Sequence, residues 1–424
     1  MERATDPERS AVECSGGEVV DDMLVELLAP TGSIPQILAF SSCDSIVGDQ
    51  IVVGGKLLKP IPLNSLACNA VTLPARLDES RNYLEFVPAI SEALSKRFEL
   101  TEYQLAAVTM WIVYTWLWDF YRTPLTLLLA GSMEPAMALL GFMSAGVRRG
   151  LCLADLSQAS LRSLPLNMQP VLLINRYDLP QQLLSTLRFS SYSGFRVPGS
   201  RNTLLNLAIP RALFLGDQEV QDDWTDLAIR INLPPRCNRQ SCYENNLTHM
   251  ISDFQSLGLL FRLRYWVEVI RNNEPVLGLT QQEIAEKLLG DFCGMRELAT
   301  NAKSYFTAQE DQQFASRSRD PKSAILEVLW GPMHAGKPIG VSEVASRLNA
   351  LLHNRGELID LRSEQVGFLL SDLGIPRRRS QREKRIEFTR EVSQRLHRLS
   401  SGFQLELPVD DKCLDCPRQD AAAE

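Results

Sequence analysis

Histidine is scarce in this chain, and the side-chain patterns of two large enzyme classes are missing with it. Only 4 of the 424 residues are His, and none stands in a Ser/His/Asp arrangement or in a His-x-x-x-His pair. A serine hydrolase needs an imidazole as its general base, and a zinc metalloprotease needs two imidazoles on one helix face. The sequence therefore supports neither class, and we expect no metal site and no cofactor.

A long apolar run and an N-terminal targeting signal are also lacking. The most apolar stretch, residues 105–118, is shorter than the ~20 residues that cross a bilayer, and Asp119 and Pro124 follow it closely. This stretch is typical of a buried helix. Residues 1–26 hold eight carboxylates and no apolar signal segment, which indicates an acidic disordered arm over residues 1–30. We expect a cytoplasmic protein that makes no membrane contact.

A net positive charge is absent as well. The formal charge of −7 argues against a nucleic-acid binder that uses its whole surface, so any such contact needs a local basic patch. The nine Cys are scattered and odd in number, which favours reduced thiols over a disulfide framework. With 45% apolar and 22% charged residues, the chain is typical of a globular protein with two or three domains.

Two cysteine pairs are the remaining candidates for metal ligands. Cys413 and Cys416 form a Cys-x-x-Cys motif, and Cys237 with Cys242 is a looser pair. Four thiolates can hold Zn²⁺, but no sequence spacing links the two pairs. The alternative is a flexible tail over residues 408–424, and the sequence favours that interpretation.

Residues 127–140, LLLAGSMEPAMALL, have the spacing of a phosphate-binding P-loop without its phosphate ligands. Gly131 stands at the first glycine, but Ala136, Met137 and Ala138 stand where Gly-Lys-Ser/Thr belongs. The lysine ammonium holds the β- and γ-phosphates and the hydroxyl ligates Mg²⁺, which a thioether and a methyl group cannot do. The segment therefore predicts a degenerate nucleotide site.

A second half-site shows the same loss. Residues 171–176, VLLINR, predict an apolar strand of the kind that ends in an acid for Mg²⁺ and a second acid for water. Asn175 replaces the metal-binding acid, and Arg176 stands where the catalytic Glu belongs. A guanidinium repels Mg²⁺ and cannot accept a proton from water. Both halves of one ancestral site are therefore predicted to be disabled.

Predicted strands and helices alternate between residues 83 and 240. This alternation indicates an α/β fold with a parallel sheet, whose ligand site lies at the carboxyl ends of the strands. The predicted elements are strands at 125–130, 171–176 and 212–215, and helices at 136–147 and 181–189.

Residues 83–235 resemble the P-loop ATPase core of helicase-like AAA+ proteins carried by phages, plasmids and other mobile elements. The resemblance is carried by the lead-in helix, by PVLLINRYDL, and by the segment that contains Asp226 and Arg230; the lead-in residues are Trp111 and Thr115, or the register Trp118, Asp119, Phe120 and Pro124. It implies a polar sensor where Gly216 stands, and it implies that Arg230 acts on a neighbouring subunit's nucleotide. The alternative for Arg230 is an intrachain or surface salt bridge.

Behind a polar linker at 311–322, the pattern changes to three short helices, a basic hairpin and a last helix. This order is typical of a winged helix-turn-helix, in which the third helix enters the major groove and wing cations meet phosphates. The candidate base readers are Glu364, Gln365 and Ser371, and the candidate phosphate contacts are Arg377, Arg378, Arg379, Arg382, Lys384 and Arg385. The alternatives are a solvated charge run and a module for protein contact.

Together these patterns predict a P-loop NTPase-like chain with six segments: an acidic arm (1–30), a β-rich segment (31–82), a degenerate AAA+-like core (83–240), a helical lid (241–310), a winged helix (320–407) and a tail (408–424). We expect a catalytically inactive, DNA-associated scaffold or regulatory subunit. It would act in a homo-oligomer or with an active ATPase partner, in mobile-element replication, regulation or defence. The alternatives are an active helicase or loader ATPase with an unorthodox site, and a protein-interaction adaptor.

Overall fold

The chain divides into two compact units, Met1–Ala308 and Gln309–Glu424. The computed structural model describes residues 12–30, 34–42, 44–62, 70–121, 124–176, 178–189, 196–198, 204–216, 228–234, 247–272, 279–357, 359–380, 383–403, 405, 407–410 and 413–416.

The first unit begins with two small β-sheets. One is antiparallel with the order β2-β3-β4-β5, and the other has the order β1-β7-β6, with β1 parallel to β7. The strands are β1 Val12–Cys14, β2 Glu18–Val20, β3 Met23–Leu28, β4 Gln36–Phe40, β5 Ser45–Gly48, β6 Ile51–Val53 and β7 Lys56–Pro60.

The predicted acidic arm is wrong over residues 12–30, because three of these strands lie there. Strand β3 is buried from Leu24 to Leu28, so its apolar side chains stabilise a sheet despite the surrounding carboxylates. Residues 1–11 lie outside the described part of the chain. The β-rich interpretation of residues 31–82 is in line with the strands β4 to β7.

A five-stranded parallel sheet forms the centre of the first unit, in agreement with the predicted α/β class. Its order is β14-β8-β13-β10-β9, so β13 separates β8 from β10. A two-stranded hairpin, β11-β12, precedes β13 in the chain. These strands are β8 Thr126–Ala130, β9 Gly150–Leu153, β10 Val171–Ile174, β11 Val197–Pro198, β12 Leu204–Leu205, β13 Arg211–Gly216 and β14 Ala228–Asn232.

Helices accompany this sheet and follow it. The α-helices are α1 Phe86–Arg97, α2 Glu102–Tyr114, α3 Trp118–Tyr121, α4 Met133–Gly146, α5 Gln158–Leu161, α6 Gln181–Phe189, α7 Leu247–Asn272, α8 Gln281–Ala285 and α9 Arg296–Arg319, with 3₁₀ turns at Tyr83–Glu85 and Leu166–Met168 and a π-helical turn at Glu286–Phe292. Thr101 and Thr280 each form a capping box at a helix start. Helix α2 is buried from Ala106 onward, as its apolar sequence predicts. Within the described residues, every helix is too short or too polar to cross a membrane.

The second unit contains three helices, a small sheet and a last helix. Its elements are α10 Pro321–His334, β15 Ile339–Gly340, α11 Val341–Asn354, α12 Ser363–Asp372, β16 Arg378–Ser380, β17 Glu383–Ile386 and α13 Arg390–Gly402. The sequence predicts these helices and the hairpin, but it misses β15, which pairs with β17 in the order β15-β17-β16. The predicted linker at 311–322 is wrong, because α9 is helical to Arg319 and α10 begins at Pro321.

A buried ionic cluster joins the N-terminal strands of the first unit to its helices. We call it the Glu26 cluster; its members are Glu26, Asp119, Arg148, Arg149 and Arg262. Glu26 accepts hydrogen bonds from Arg148 at 2.8 Å, from Arg149 at 2.7 Å and from Arg262 at 2.6 Å. Arg262 also donates to both carboxylate oxygens of Asp119, at 2.8 and 2.6 Å.

Burial alone would raise the pKa of Glu26, but the three guanidinium groups around it hold that pKa well below its usual range. Phe120, which carries part of the family resemblance together with Asp119, places its ring 4.7 Å from the Arg262 guanidinium carbon. These two residues of the lead-in pattern therefore stabilise the fold by holding a buried arginine.

Candidate functional site

The turn after β8 is where the sequence places its degenerate P-loop, and the structure closes this turn with a helix. Only Gly131 and Ser132 separate β8 from α4, which begins at Met133, three residues before the predicted start. The amide of Ala136 already donates to the carbonyl oxygen of Ser132 at 3.4 Å. A phosphate-binding loop instead leaves several successive amides free to point at the anion. The described segment between β8 and α4 therefore lacks such a loop, and position 137 holds no lysine.

The three residues at the predicted Gly-Lys-Ser/Thr positions differ in burial on α4. Ala136 is fully buried in the core, whereas Met137 is 47% exposed. Ala138 is half-buried against the core. A lysine placed at 137 would therefore start from a solvent-facing helical position, not from a loop around a phosphate.

Packing between strands accounts for Gly131 and Gly216 without any ligand. Gly131 has φ +113°, and a Cβ there would lie 2.8 Å from the carbonyl oxygen of Leu233. Its amide donates to the carbonyl oxygen of Gly216 at 3.0 Å, where the pairing of β13 with β8 shifts register. Gly216 itself has φ +61°. Both positions therefore favour glycine for backbone reasons.

The end of β10 carries the second predicted half-site. The backbone amide of Asn175 donates to the Leu153 carbonyl oxygen at 2.9 Å. The side-chain oxygen Oδ1 of Asn175 is buried and has no hydrogen-bond partner among the described residues. Because β13 separates β8 from β10, Gly131 and Asn175 lie two strand spacings apart, about 10 Å. The two predicted half-sites therefore both follow the carboxyl ends of parallel strands, but a strand lies between them.

Arg176 pairs with two carboxylates that the sequence does not single out. It donates to Asp178 at 2.7 Å and also to Asp155, which follows β9. These hydrogen bonds, with Asp178 as the stronger partner, raise the pKa of Arg176 further above its usual value. The same contact lowers the pKa of Asp178. Arg176 thus neutralises acids that would otherwise be available to a cation at this edge.

Arg230, the predicted trans-acting residue, lies in the middle of β14 and opposite Leu128 of β8. Its Nε donates to Oδ1 of Asn232 at 3.1 Å, and its carbonyl oxygen accepts a hydrogen bond from the Tyr305 hydroxyl. Among the described strands, β14 is the outermost on one side of the sheet. The contact to Asn232 is a hydrogen bond to a neutral side chain, so the salt-bridge alternative and the trans-acting role both stay predictions. Asp226 lies outside the described residues.

The predicted basic wing is a hairpin of β16 and β17 in which cations face cations. Arg378 lies directly opposite Arg385, and Arg379 lies directly opposite Lys384. All four side chains are exposed. Arg378 is paired with Glu387 at 3.0 Å, whereas Arg379 and Lys384 form no ion pair with any described residue. Like charges directly opposite each other destabilise a β-ladder, and an anion placed beside them would reduce this repulsion.

Two residues near the hairpin are engaged inside the unit. Arg377 folds back over Gly367 of α12 and donates to the Ser371 hydroxyl at 2.6 Å, so it is not part of the exposed hairpin. Arg395 donates to the Leu373 carbonyl oxygen at 2.7 Å, at the end of α12. Arg382, the remaining predicted contact, lies outside the described residues.

Helix α12 presents little that can read a base edge. Ser371 is engaged by Arg377 and donates to the Gly367 carbonyl oxygen at 3.1 Å, and Gln365 accepts a hydrogen bond from the Arg362 amide at 2.9 Å. All three candidate readers are exposed, but the carboxylate of Glu364 repels phosphate. The most exposed apolar side chain on this helix is Phe368, at 74%.

One group of side chains that the sequence does not connect could hold a metal. His334, His397, Cys413 and Cys416 place one ligand atom each within 4.8 Å of one another. The flexible-tail interpretation of residues 408–424 therefore misses this arrangement for the described residues 408–410 and 413–416. The sequence offered one signal for this group. His334 and His397 both lie in predicted helices of the segment that also contains the Cys-x-x-Cys motif. Cys237 and Cys242 lie outside the described residues.

Comparison with known proteins adds little. No known family and no curated protein matches the sequence. Among solved structures, an A-form apo structure of the NrS-1 C-terminal region is 9% identical and has a TM-score of 0.38; the match covers 86% of this chain and 96% of that chain. A further apo structure of the same region is 8% identical, with a TM-score of 0.35 and the same coverage. Similarity at this level assigns neither a family nor an activity.

Proposed function

We propose that this chain is a DNA-associated, non-hydrolysing subunit whose hairpin of β16 and β17 holds the phosphate backbone. The observation that carries the proposal is the placement of Arg379 directly opposite Lys384, both exposed and without an ion-pair partner among the described residues. A ligand with closely spaced negative charges would reduce the repulsion between these cations, and a nucleic-acid backbone is such a ligand.

This contact would be largely independent of DNA sequence. Phosphate contacts position a protein on DNA, whereas specificity needs side chains that reach base edges. The internal hydrogen bonds of Gln365 and Ser371 leave α12 poor in such side chains. In a winged-helix arrangement of this kind, the DNA affinity would come from the hairpin and not from α12.

The absence of hydrolysis is proposed from the local structure after β8. The hydrogen bond from the Ala136 amide to the Ser132 carbonyl oxygen makes this segment helical where a phosphate-binding loop would be needed. Arg176 forms ion pairs with Asp155 and Asp178, the acids near the carboxyl ends of β9 and β10. In this proposal the degenerate AAA+-like core is a scaffold. It would join copies of itself or an active ATPase partner, in mobile-element replication, regulation or defence, and Arg230 on the edge strand would face the neighbour.

A second candidate is a protein-interaction adaptor, and Phe368 favours it. An aromatic side chain that is 74% exposed on a helix, beside Glu364, suits an apolar partner better than a phosphate backbone. In that case α12 would be the contact face and the hairpin cations would serve solubility.

The experiment that tests the proposal is fluorescence-polarisation binding of labelled duplex and single-stranded DNA to the full chain. We expect the triple change Arg379→Ala, Lys384→Ala and Arg385→Ala to weaken binding by at least about tenfold at low salt. A matched control removes three exposed cations of the first unit with Lys56→Ala, Arg76→Ala and Lys96→Ala, and should leave binding nearly unchanged. Equal losses in both variants would contradict a hairpin contact. No binding by any form would favour the adaptor.

A further inference from the structure

The second unit contains a four-ligand side-chain cluster that neither the proposed DNA contact nor the degenerate core uses. His334 is the last residue of α10, His397 lies in α13, and Cys413 and Cys416 lie on the chain that follows α13. Nε2 of His334 lies 3.2 Å from the Cys416 sulfur, and Nε2 of His397 lies 3.4 Å from the same atom. The Cys413 sulfur lies 3.4 Å from Nε2 of His397.

These distances approach those of a tetrahedral zinc site. With Zn–S bonds of about 2.3 Å and Zn–N bonds of about 2.0–2.1 Å, tetrahedral angles separate sulfur from nitrogen by roughly 3.6 Å and two sulfurs by roughly 3.8 Å. All four ligand atoms lie within 4.8 Å of one another. Small side-chain rotations are therefore sufficient to place them around one ion.

The orientation of the two imidazoles also suits a metal. Nδ1 of His334 lies 3.0 Å from the Trp330 carbonyl oxygen, and Nδ1 of His397 lies 2.8 Å from the Ser393 carbonyl oxygen. A carbonyl oxygen only accepts hydrogen bonds, so Nδ1 is the protonated nitrogen in each ring and the Nε2 lone pair faces the cluster. This is the usual backbone support of a metal-bound histidine.

Packing around the cluster holds the following chain in place but leaves the turn between the cysteines exposed. The Trp330 ring lies 4.7 Å from the His334 ring and 4.8 Å from the His397 ring, and its indole N–H donates to the Pro408 carbonyl oxygen at 2.8 Å. Cys416 is only 6% exposed, yet Leu414, between the two cysteines, is 89% exposed. Burial of Leu414 therefore does not hold this turn on the helices.

We infer that His334, His397, Cys413 and Cys416 form a structural zinc site that fixes the turn Cys413–Cys416 to α10 and α13. Two thiolates and two imidazoles in tetrahedral placement select Zn²⁺ among common divalent ions. All four ligands come from the protein, so the site is closed and has no position for a substrate. Its role is to stabilise the second unit.

The test measures zinc in the full chain purified without a polyhistidine tag. We expect close to one zinc per chain by plasma mass spectrometry, and close to none in the double variant Cys413→Ser, Cys416→Ser. The matched control Cys152→Ser removes an exposed thiol of the first unit and should retain the zinc. A metal-free native protein that takes up no added Zn²⁺ would overturn the inference, as would zinc retained by the double variant.

Two further measurements keep the test informative if the double variant folds poorly. Titration of chelator-treated native protein with Co²⁺ should give the visible absorption of tetrahedral thiolate-bound cobalt, saturating at one ion per chain. Intact-protein mass spectrometry should find Cys413 and Cys416 reduced. Octahedral-type weak absorption, or a Cys413–Cys416 disulfide in the native protein, would contradict the site.

Discussion

Arg379 lies directly opposite Lys384 across the two strands of the β16–β17 hairpin, and both side chains are exposed. An opposed pair of this kind costs stability in the free protein, by about 0.2–1 kcal/mol. We expect Lys384→Glu to raise the unfolding free energy of the second unit by a similar amount, because it makes the pair attractive. The same change should weaken DNA binding. Urea unfolding and fluorescence polarisation on one preparation check both effects.

The matched control for this change is Lys56→Glu. Lys56 is an exposed lysine that begins β7 in the other unit, and its replacement alters net charge equally. It should leave DNA binding close to that of the native protein. If Lys384→Glu lowers the unfolding free energy or leaves DNA binding unchanged, the opposed cations do not form a DNA contact.

Gly131 should contribute to the stability of the first unit through its backbone conformation. A Cβ at this position, with φ +113°, would lie 2.8 Å from the Leu233 carbonyl oxygen. We expect Gly131→Ala to destabilise the first unit by roughly 1–3 kcal/mol. Gly141 of α4 has no atom within 4 Å of an added Cβ, so Gly141→Ala should be neutral or stabilising by up to about 1 kcal/mol. Thermal unfolding of the two variants measures the contrast, and equal shifts would refute it.

Restoring the missing P-loop side chains should not restore nucleotide binding. We expect the double change Met137→Lys, Ala138→Thr to show no rise in melting temperature with Mg-ATP, and no ATP turnover. The reason is that α4 begins at Met133, so the added side chains would lie on a helix and not around a phosphate. Thermal shift with and without Mg-ATP checks this for the native protein and the variant. A rise of several degrees in either would favour an unorthodox nucleotide site.

Glu26 should be the carboxylate on which the acid stability of the first unit depends most. Its pKa is depressed in the folded protein from the ordinary value of 4.5, so its contribution is fully present above about pH 4.5 and is lost as the pH falls below that value. We expect Glu26→Gln to lower the unfolding free energy near pH 7 by about 3–5 kcal/mol, because three buried guanidinium groups lose a partner.

The control for that prediction is Glu92→Gln, which removes an exposed carboxylate paired with Lys96 on the helix surface. It should change stability little at any pH. Denaturant unfolding between pH 3 and pH 8 should show that Glu26→Gln also flattens the loss of stability below about pH 4.5. An acid transition of unchanged steepness would show that other carboxylates control it.

Much of the fold could be predicted from local sequence patterns. The helical spacing of apolar residues correctly predicted α6 at 181–189 and α10 at 321–334. This spacing and the helix caps depend on residues only a few positions apart. The buried strand β3 was missed because its neighbours are acidic, and Glu26 is tolerated only through arginines more than 120 residues away. Such distant compensation leaves no local signal.

The candidate sites also combine features that the sequence shows with features that only tertiary packing creates. That position 137 holds Met and not Lys is visible in the sequence, but the early start of α4 and the hydrogen bond from Arg176 to Asp155 depend on tertiary packing. The zinc ligands show the limit most clearly. Only Cys413 and Cys416 are near neighbours in sequence, and His334 and His397 join them because α10 and α13 pack together.

The most direct test of the proposed function is the salt dependence of duplex DNA binding by the native chain and by the variant Arg379→Ala, Lys384→Ala, Arg385→Ala. Each phosphate contact adds about 0.9 to the slope of log K against log salt. We expect steep weakening with salt for the native chain and a slope that is smaller by roughly 2–3 in the variant. Identical slopes, or no binding at low salt, would contradict the hairpin as a DNA contact.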